Sequence, residues 1–137
     1  HFLASKYPSA EIFAIDILEM EKIRGVKFIQ EDLRKIDQIQ QLSGLKNKFN
    51  LVISDLAPNL TGISSIDEEN IFELNLLTLK RAKTFLDSKG VFIVKTFQNS
   101  NLKKFRKEME KNLKIVQTAK PAASKKQSKE IYLYGIK

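Results

Sequence analysis

The sequence predicts an α/β fold, a parallel-rich sheet with helices on both faces. Three observations carry this. Short apolar stretches alternate with stretches of helical spacing, the apolar stretches are nearly continuous, and three of them end in or near a charged residue: Asp16, Asp55 and Lys95. Near-continuous apolar strands are those covered on both faces, as in helix-flanked parallel sheets. In open sheets of that kind ligands bind beyond the carboxyl ends of the strands, so the three charges are the first hint of a site.

Taken in order, residues 11–16 (EIFAID) read as a short buried strand ending in an acid, and residues 26–29 (VKFI) as a second one, followed by a polar stretch over 30–35. Residues 36–45 have helical spacing that ends near Gly44. Residues 50–54 (NLVIS) form an apolar strand that runs into Asp55. Over 67–86 the apolar residues Ile71, Phe72, Leu74, Leu76, Leu77, Leu79, Ala82 and Phe85 make a helix face. Asp67 is the expected N-cap of that helix, and Gly90 follows its end. Residues 91–97 (VFIVKTF) are a strand with one lysine towards its end. Residues 102–113 are an amphipathic basic helix with Phe105 and Met109 facing inward. Two closing strands, 113–118 and 130–136, flank a lysine- and serine-rich loop over 119–129. There is no internal repeat and no Gly/Pro linker, so the expectation is one domain over 1–137.

Composition narrows the chemistry. Hydrophobic residues make up 42% and charged residues 29%, a globular balance rather than a disordered one. The apolar runs are too short to cross a bilayer as helices, so no membrane partner is expected. Without cysteine there is neither a disulfide framework nor a thiolate metal site, and a single terminal histidine argues against a histidine-based metal or triad centre. The charge is unevenly spread: residues 1–100 are neutral overall, whereas residues 101–137 carry the entire net +8. A localised basic segment of this kind suits a phosphate backbone.

Singly, the candidate residues are ambiguous. Asp55 opens Asp55-Leu56-Ala57-Pro58-Asn59-Leu60-Thr61-Gly62, where it either caps a turn or sits as a carboxylate at the sheet's ligand edge. Lys95 lies in an otherwise apolar strand, where a charge is expensive to bury unless paired, and either snorkels to solvent or meets Asp55. Glu130 is the lone acid in a run of lysines and either pairs with Lys129 or Lys126 or joins the site.

Together, residues 54–62 (SDLAPNLTG), 90–98 (GVFIVKTFQ) and 120–134 (KPAASKKQSKEIYLY) resemble the FtsJ-like ribosomal RNA 2′-O-ribose methyltransferases in order and spacing, over essentially the whole chain. The resemblance implies a Rossmann-like S-adenosylmethionine-dependent methyltransferase sheet acting on a ribose 2′-hydroxyl, with uridine in large-subunit ribosomal RNA as the expected target. In that family a Lys-Asp-Lys-Glu tetrad forms the reaction centre, and by motif position Asp55, Lys95 and Glu130 supply three of its members. The same alignment implies cofactor contacts from Asp16, Asp32, Leu33 and Asp55. A carboxylate at a strand end commonly accepts from ribose hydroxyls; Asp32 is also an expected N-cap for a helix starting near Leu33. Lys95 would act either as a neutral base or as a charged group that orients the hydroxyl. RNA contacts are expected from Lys103, Lys104, Arg106, Lys107, Lys125, Lys126 and Lys129. Phe97 and Tyr132 are possible stacking residues, with core as their alternative role.

The resemblance also implies ribosomal RNA or the large ribosomal subunit as partner, a monomer, and a cytoplasmic bacterial setting, or a mitochondrial one in a eukaryote. A relative acting on transfer RNA and an inactive RNA-binding module are the alternatives. The family's first strand, its glycine-rich cofactor loop and its first tetrad lysine have no counterpart here. The five glycines (25, 44, 62, 90 and 135) form no G-x-G cluster, and the expectation is that these parts lie before residue 1.

Overall fold

Helix α1 (Phe2–Lys6) leads into β1 (Ile12–Asp16), which pairs in parallel with β2 (Val26–Gln30), Ile12 opposite Val26 and Asp16 opposite Gln30. These elements belong to a computed structural model that describes residues 1–120 and 128–137. It divides into two units, residues 1–43 and residues 44–137.

After β2 the first unit closes with two 3₁₀ segments, Leu33–Gln38 and Gln40–Leu42, where one α-helix over 36–45 was expected. The reason lies in the spacing. Leu33, Ile36, Ile39 and Leu42 recur every three residues, the period at which side chains eclipse in a 3₁₀ helix. Ile36, Ile39 and Leu42 are buried, and the backbone bonds are of the i to i+3 type, as in Ile39 N to Ile36 O and Leu42 N to Ile39 O.

The second unit is a mixed four-stranded sheet in the order β3-β4-β6-β5. Strand β3 (Phe49–Ser54) runs parallel to β4 (Leu86–Phe97), while β6 (Glu130–Ile136) is antiparallel to both β4 and β5 (Val116–Ala119). Helix α2 (Ser64–Phe85) passes into β4 without an intervening loop. Strand β4 therefore begins five residues before the expected 91. The β3–β4 register shifts between Phe49 and Leu51, where Asp87 takes up the extra chain by accepting from Lys89 N and Asn50 Nδ2. Gly90 is confined to this bend, since a Cβ there would lie 2.7 Å from Leu86 Cδ2 and 2.8 Å from Phe49 O.

Helix α3 (Leu102–Asn112) presents Phe105 and Met109 to the sheet, as its amphipathic pattern predicts. Both α2 and α3 share one core with Phe92, Val94 and Leu133, so within this unit the two helices cover the same face. On the opposite face Leu51 and Ile53 remain 38% and 47% exposed. Among the described residues no helix is long and apolar enough to cross a membrane.

Candidate functional site

Strand alternation decides which side chains reach the face away from α2 and α3. Ser54 is buried opposite Val94, so the next residue on each strand turns the other way and Asp55 meets Lys95. Lys95 Nζ lies 2.7 Å from Asp55 Oδ1; the lysine side chain is 15% exposed and the aspartate 65%. An ammonium this enclosed requires a partner, and Asp55 supplies it from the adjacent strand end. Tyr132 sits opposite Lys95, and Glu130 sits opposite Phe97. Two-residue alternation therefore places Glu130 on the same face, diagonal to Lys95. The Asp55 hydrogen bond, followed by the charges of Asp55 and Glu130, holds the Lys95 ammonium above the ordinary lysine range, against the opposing effect of burial. Phe97 and Tyr132 flank this group and are half-buried.

The loop that carries Asp55 is held by a residue expected only to cap a helix. Helix α2 starts at Ser64, ahead of the expected Asp67, because the Asp67 carboxylate turns back into the loop. Its Oδ1 accepts from Thr61 N at 2.7 Å and Thr61 Oγ1 at 2.8 Å, and its Oδ2 accepts from Gly62 N at 3.1 Å. The backbone bond from Thr61 is the main reason its carboxyl lies below the usual range. Gly62 takes φ +84°, which a glycine adopts without strain. One residue further along α2, Glu68 accepts from Ser100 Oγ and Ser100 N, and Asn101 Nδ2 donates to Glu68 O and Glu69 Oε2. The segment after Lys95 is thereby fixed to the start of α2. Gln98 N also donates to Lys129 O at 2.7 Å, beside Glu130. The sequence signal for these clasps was faint: three consecutive acids, Asp67-Glu68-Glu69, in an otherwise apolar-faced helix.

Within the first unit, Asp16 and Asp32 lie at the carboxyl ends of β1 and β2, joined through Glu31 N, which donates to Asp16 O. Asp16 Oδ1 accepts from Leu18 N at 2.9 Å, a short-range turn that occupies one of about four acceptor positions on a carboxylate. Asp32 does cap the following 3₁₀ segment. It accepts from Arg34 N at 2.8 Å and Arg34 Nη1 at 3.0 Å, and the backbone bond is the largest cause of its lowered pKa. Leu33 is half-buried beside it. Carboxylates with spare acceptor positions at parallel strand ends fit the hydroxyl- and amine-bearing part of a nucleoside.

The basic residues fall into distinct environments. Lys103 and Lys107 are exposed on α3, four residues apart and away from Phe105 and Met109. Lys104 Nζ stands 4.1 Å from the Phe72 ring centroid. Arg106 is committed to the protein, donating to Glu110 Oε1, Thr118 Oγ1 and Val116 O. Lys129 is exposed. Lys125 and Lys126 lie outside the described residues.

Comparison with known proteins adds a family. Residues 1–137 match the family described as FtsJ-like methyltransferase. A Dechloromonas aromatica protein named ribosomal RNA large subunit methyltransferase E is 41% identical over 126 residues, covering 90% of this chain and 62% of the relative. A Neisseria meningitidis protein of the same name is 43% identical over 129 residues, covering 93% and 63%. The chain thus spans less than two thirds of the length of these relatives. A Plasmodium falciparum structure described as a ribosomal RNA methyltransferase superposes with a TM-score of 0.81 at 24% identity, over 98% of this chain and 76% of that one, a likeness of fold. A Streptococcus mutans structure described as a methyltransferase in complex with SAH superposes with a TM-score of 0.56 at 14% identity, over 92% and 70%.

Proposed function

We propose, from the premise that this chain belongs to the FtsJ-like methyltransferase family, that it forms part of an enzyme methylating a ribose 2′-hydroxyl of large-subunit ribosomal RNA. The observation that carries this reading is the Lys95–Asp55 pair at the carboxyl ends of neighbouring parallel strands, with Glu130 on the same face. Bound S-adenosylmethionine would supply an electrophilic methyl group. Asp16, Asp32 and Leu33 are the residues of the first unit suited to holding it: the acids accept hydrogen bonds from ribose hydroxyls and amines, and the leucine offers apolar surface to a base.

A ribose hydroxyl is a weak nucleophile, so alignment supplies much of the acceleration. Lys95 is held as an ammonium by Asp55 and Glu130, which favours the orienting role over that of a neutral base. Its N–H donates to a lone pair of the 2′-oxygen and so orients the hydroxyl. The hydroxyl proton passes to the exposed Asp55 carboxylate and on to water, while the methyl would leave the sulfonium for the ribose oxygen with its carbon–sulfur bond breaking and the neutral thioether departing. Glu130 keeps the ammonium charged. Lys103, Lys107 and Lys129 contact phosphates, with Lys125 and Lys126 extending the same basic stretch; such contacts set position rather than sequence preference.

The decisive experiment uses full-length protein with labelled S-adenosylmethionine, and ribosomal RNA, large subunits and transfer RNA as acceptors. Saturable cofactor binding and label recovered as 2′-O-methylribose in large-subunit RNA are expected. Absence of saturable binding would remove the proposal, and label confined to transfer RNA would replace the substrate. The pH–rate profile tests the role of Lys95: from neutral pH upward, turnover is expected to hold and then fall as pH rises through the elevated lysine pKa. A limb that rises through neutral pH and vanishes in Lys95→Ala would make Lys95 the base instead.

A further inference from the structure

Four polar residues are buried among the described residues: Ser54, Asn75, Thr78 and Thr96. Two of them adjoin the candidate reaction centre in sequence, Ser54 before Asp55 and Thr96 after Lys95. Thr96 is 2% exposed and Asn75, midway along α2, is 3% exposed; Asn75 Nδ2 donates to Thr96 Oγ1 at 2.9 Å. Thr78 Oγ1 in turn donates to the backbone oxygen of Asn75 at 2.9 Å. Around them the α2–sheet contact is made by Phe72, Leu79, Ala82, Phe92 and Val94.

We infer that Asn75 and Thr96 are positioning residues, a buried latch that sets the height of β4 against α2 and so the place of Lys95. This rests on the proposed methyltransferase reading for its consequence in turnover, but not for its effect on Lys95 itself. Apolar contact is non-directional and tolerates sliding, whereas a hydrogen bond weakens steeply with misalignment. Inside an apolar layer, a slip that breaks the bond leaves both groups unsatisfied, away from water. The latch therefore supplies the directional bond at mid-helix, where the surrounding contacts are apolar, between the Glu68 and Asn101 bonds at the start of α2 and the Lys137 bond to Lys83 O near its end. Because Thr96 and Lys95 are adjacent on one strand, fixing the Thr96 side chain on the covered face fixes the Lys95 side chain on the opposite one. The 2.7 Å contact with Asp55 depends on that placement, as does the approach to a hydroxyl, where a displacement of about 1 Å costs about a hundredfold in rate.

The test is the double variant Asn75→Leu/Thr96→Val in the full-length protein, which replaces both polar groups by apolar ones of similar size. Three readouts are taken. Thermal unfolding is expected to be unchanged or improved, which excludes simple misfolding. The Lys95 ammonium, followed by ¹⁵N NMR, is expected to lose its Asp55-bonded signature and to titrate nearer an ordinary lysine. Turnover is expected to fall about tenfold to a hundredfold, with KM for cofactor and RNA within about twofold. Thr96→Ser, which keeps the hydroxyl, should retain the parental Lys95 signature and most of the turnover. A stable double variant with parental Lys95 titration overturns the inference, as does a rise in KM at unchanged kcat. If the parent transfers no methyl group but the Lys95 signature still changes, the latch stands and the methyltransferase reading falls.

Discussion

The two units hold their candidate residues in different ways. In residues 1–43 the two candidate carboxylates are each fixed by a bond to a residue two positions away, Asp16 to Leu18 and Asp32 to Arg34, and the buried apolar residues are Ile36, Ile39 and Leu42. In residues 44–137 the corresponding contacts join distant parts of the chain: Asp55 with Lys95, Glu68 with Ser100 and Asn75 with Thr96, over a core that includes Phe92, Phe105, Met109 and Leu133. The lesson is that the first unit presents acceptors whose position is a local property, while the second builds a geometry that exists only when the sheet and α2 are assembled. Substitutions in the first are expected to act on affinity, and those in the second on turnover and stability together.

The largest contrast is expected in the cores. Phe105→Ala should destabilise the full-length protein by about 3–5 kcal/mol, since Phe105 is 1% exposed beneath the sheet. Leu42→Ala in the first unit should cost about 2 kcal/mol, the low end for such a truncation. Urea unfolding measures both, and equal losses would erase the distinction. Next in size is the ion pair. Lys95→Ala is expected to lower kcat about 10²–10³-fold, the range for removing an aligned electrostatic group, whereas Asp16→Asn should raise the Kd for S-adenosylmethionine about tenfold and leave kcat at saturation within about threefold. Reversed effects on kcat and affinity would show that the two regions were assigned the wrong way round.

The pH dependence sharpens the same comparison. A raised Lys95 pKa contributes stability in full below the unfolded value near 10.5 and loses it as pH rises through the higher folded value. The lowered Asp32 in the first unit and Asp67 in the second contribute above about pH 4 and lose their share as pH falls through their depressed values. The second unit therefore carries an alkaline limb that Lys95→Met should abolish, measurable as a parent–variant stability difference that fades as pH rises past the ordinary lysine range. Smaller again is the loop clasp: Asp67→Asn removes an acceptor from Gly62 N or Thr61 N and should lower kcat about tenfold. The smallest effects belong to the rim, where Lys103→Ala and Lys107→Ala should each weaken RNA binding a few-fold and reduce the salt slope by about one. Arg106→Ala should instead lower stability, because its guanidinium holds Glu110, Thr118 and Val116.

Most of the strands were legible because near-continuous apolar runs such as Val91-Phe92-Ile93-Val94 admit few alternatives. The pairing of Asp55 with Lys95 was one of two readings open at strand ends of opposite charge, and the structure shows it, while α3 followed from the spacing of Phe105 and Met109. The segment from Leu33 to Leu42 was misjudged because a strict spacing of three was taken for a spacing of 3.6. The early start of β4 was hidden because Asp87-Ser88-Lys89-Gly90 has turn composition, yet it forms a bulge inside the strand. The Asp67 clasp and the Asn75–Thr96 bond were beyond reach for a different reason: each depends on which polar residue of α2 faces which loop or strand, and that is set by packing rather than by local pattern.

The uninterrupted passage from α2 into β4 bears on the order in which the molecule assembles. Helix and strand form a hairpin closed covalently at Phe85–Leu86 and clasped at Asn75–Thr96, contacts only 21 residues apart. Lys137, by contrast, secures the same junction through bonds to Leu86 O, Lys83 O and Asn47 Oδ1 across 51, 54 and 90 residues. Loop-closure entropy favours contacts of short separation first. On that ground the α2–β4 hairpin is expected to close ahead of the Lys137 bonds, which then lock a junction already made.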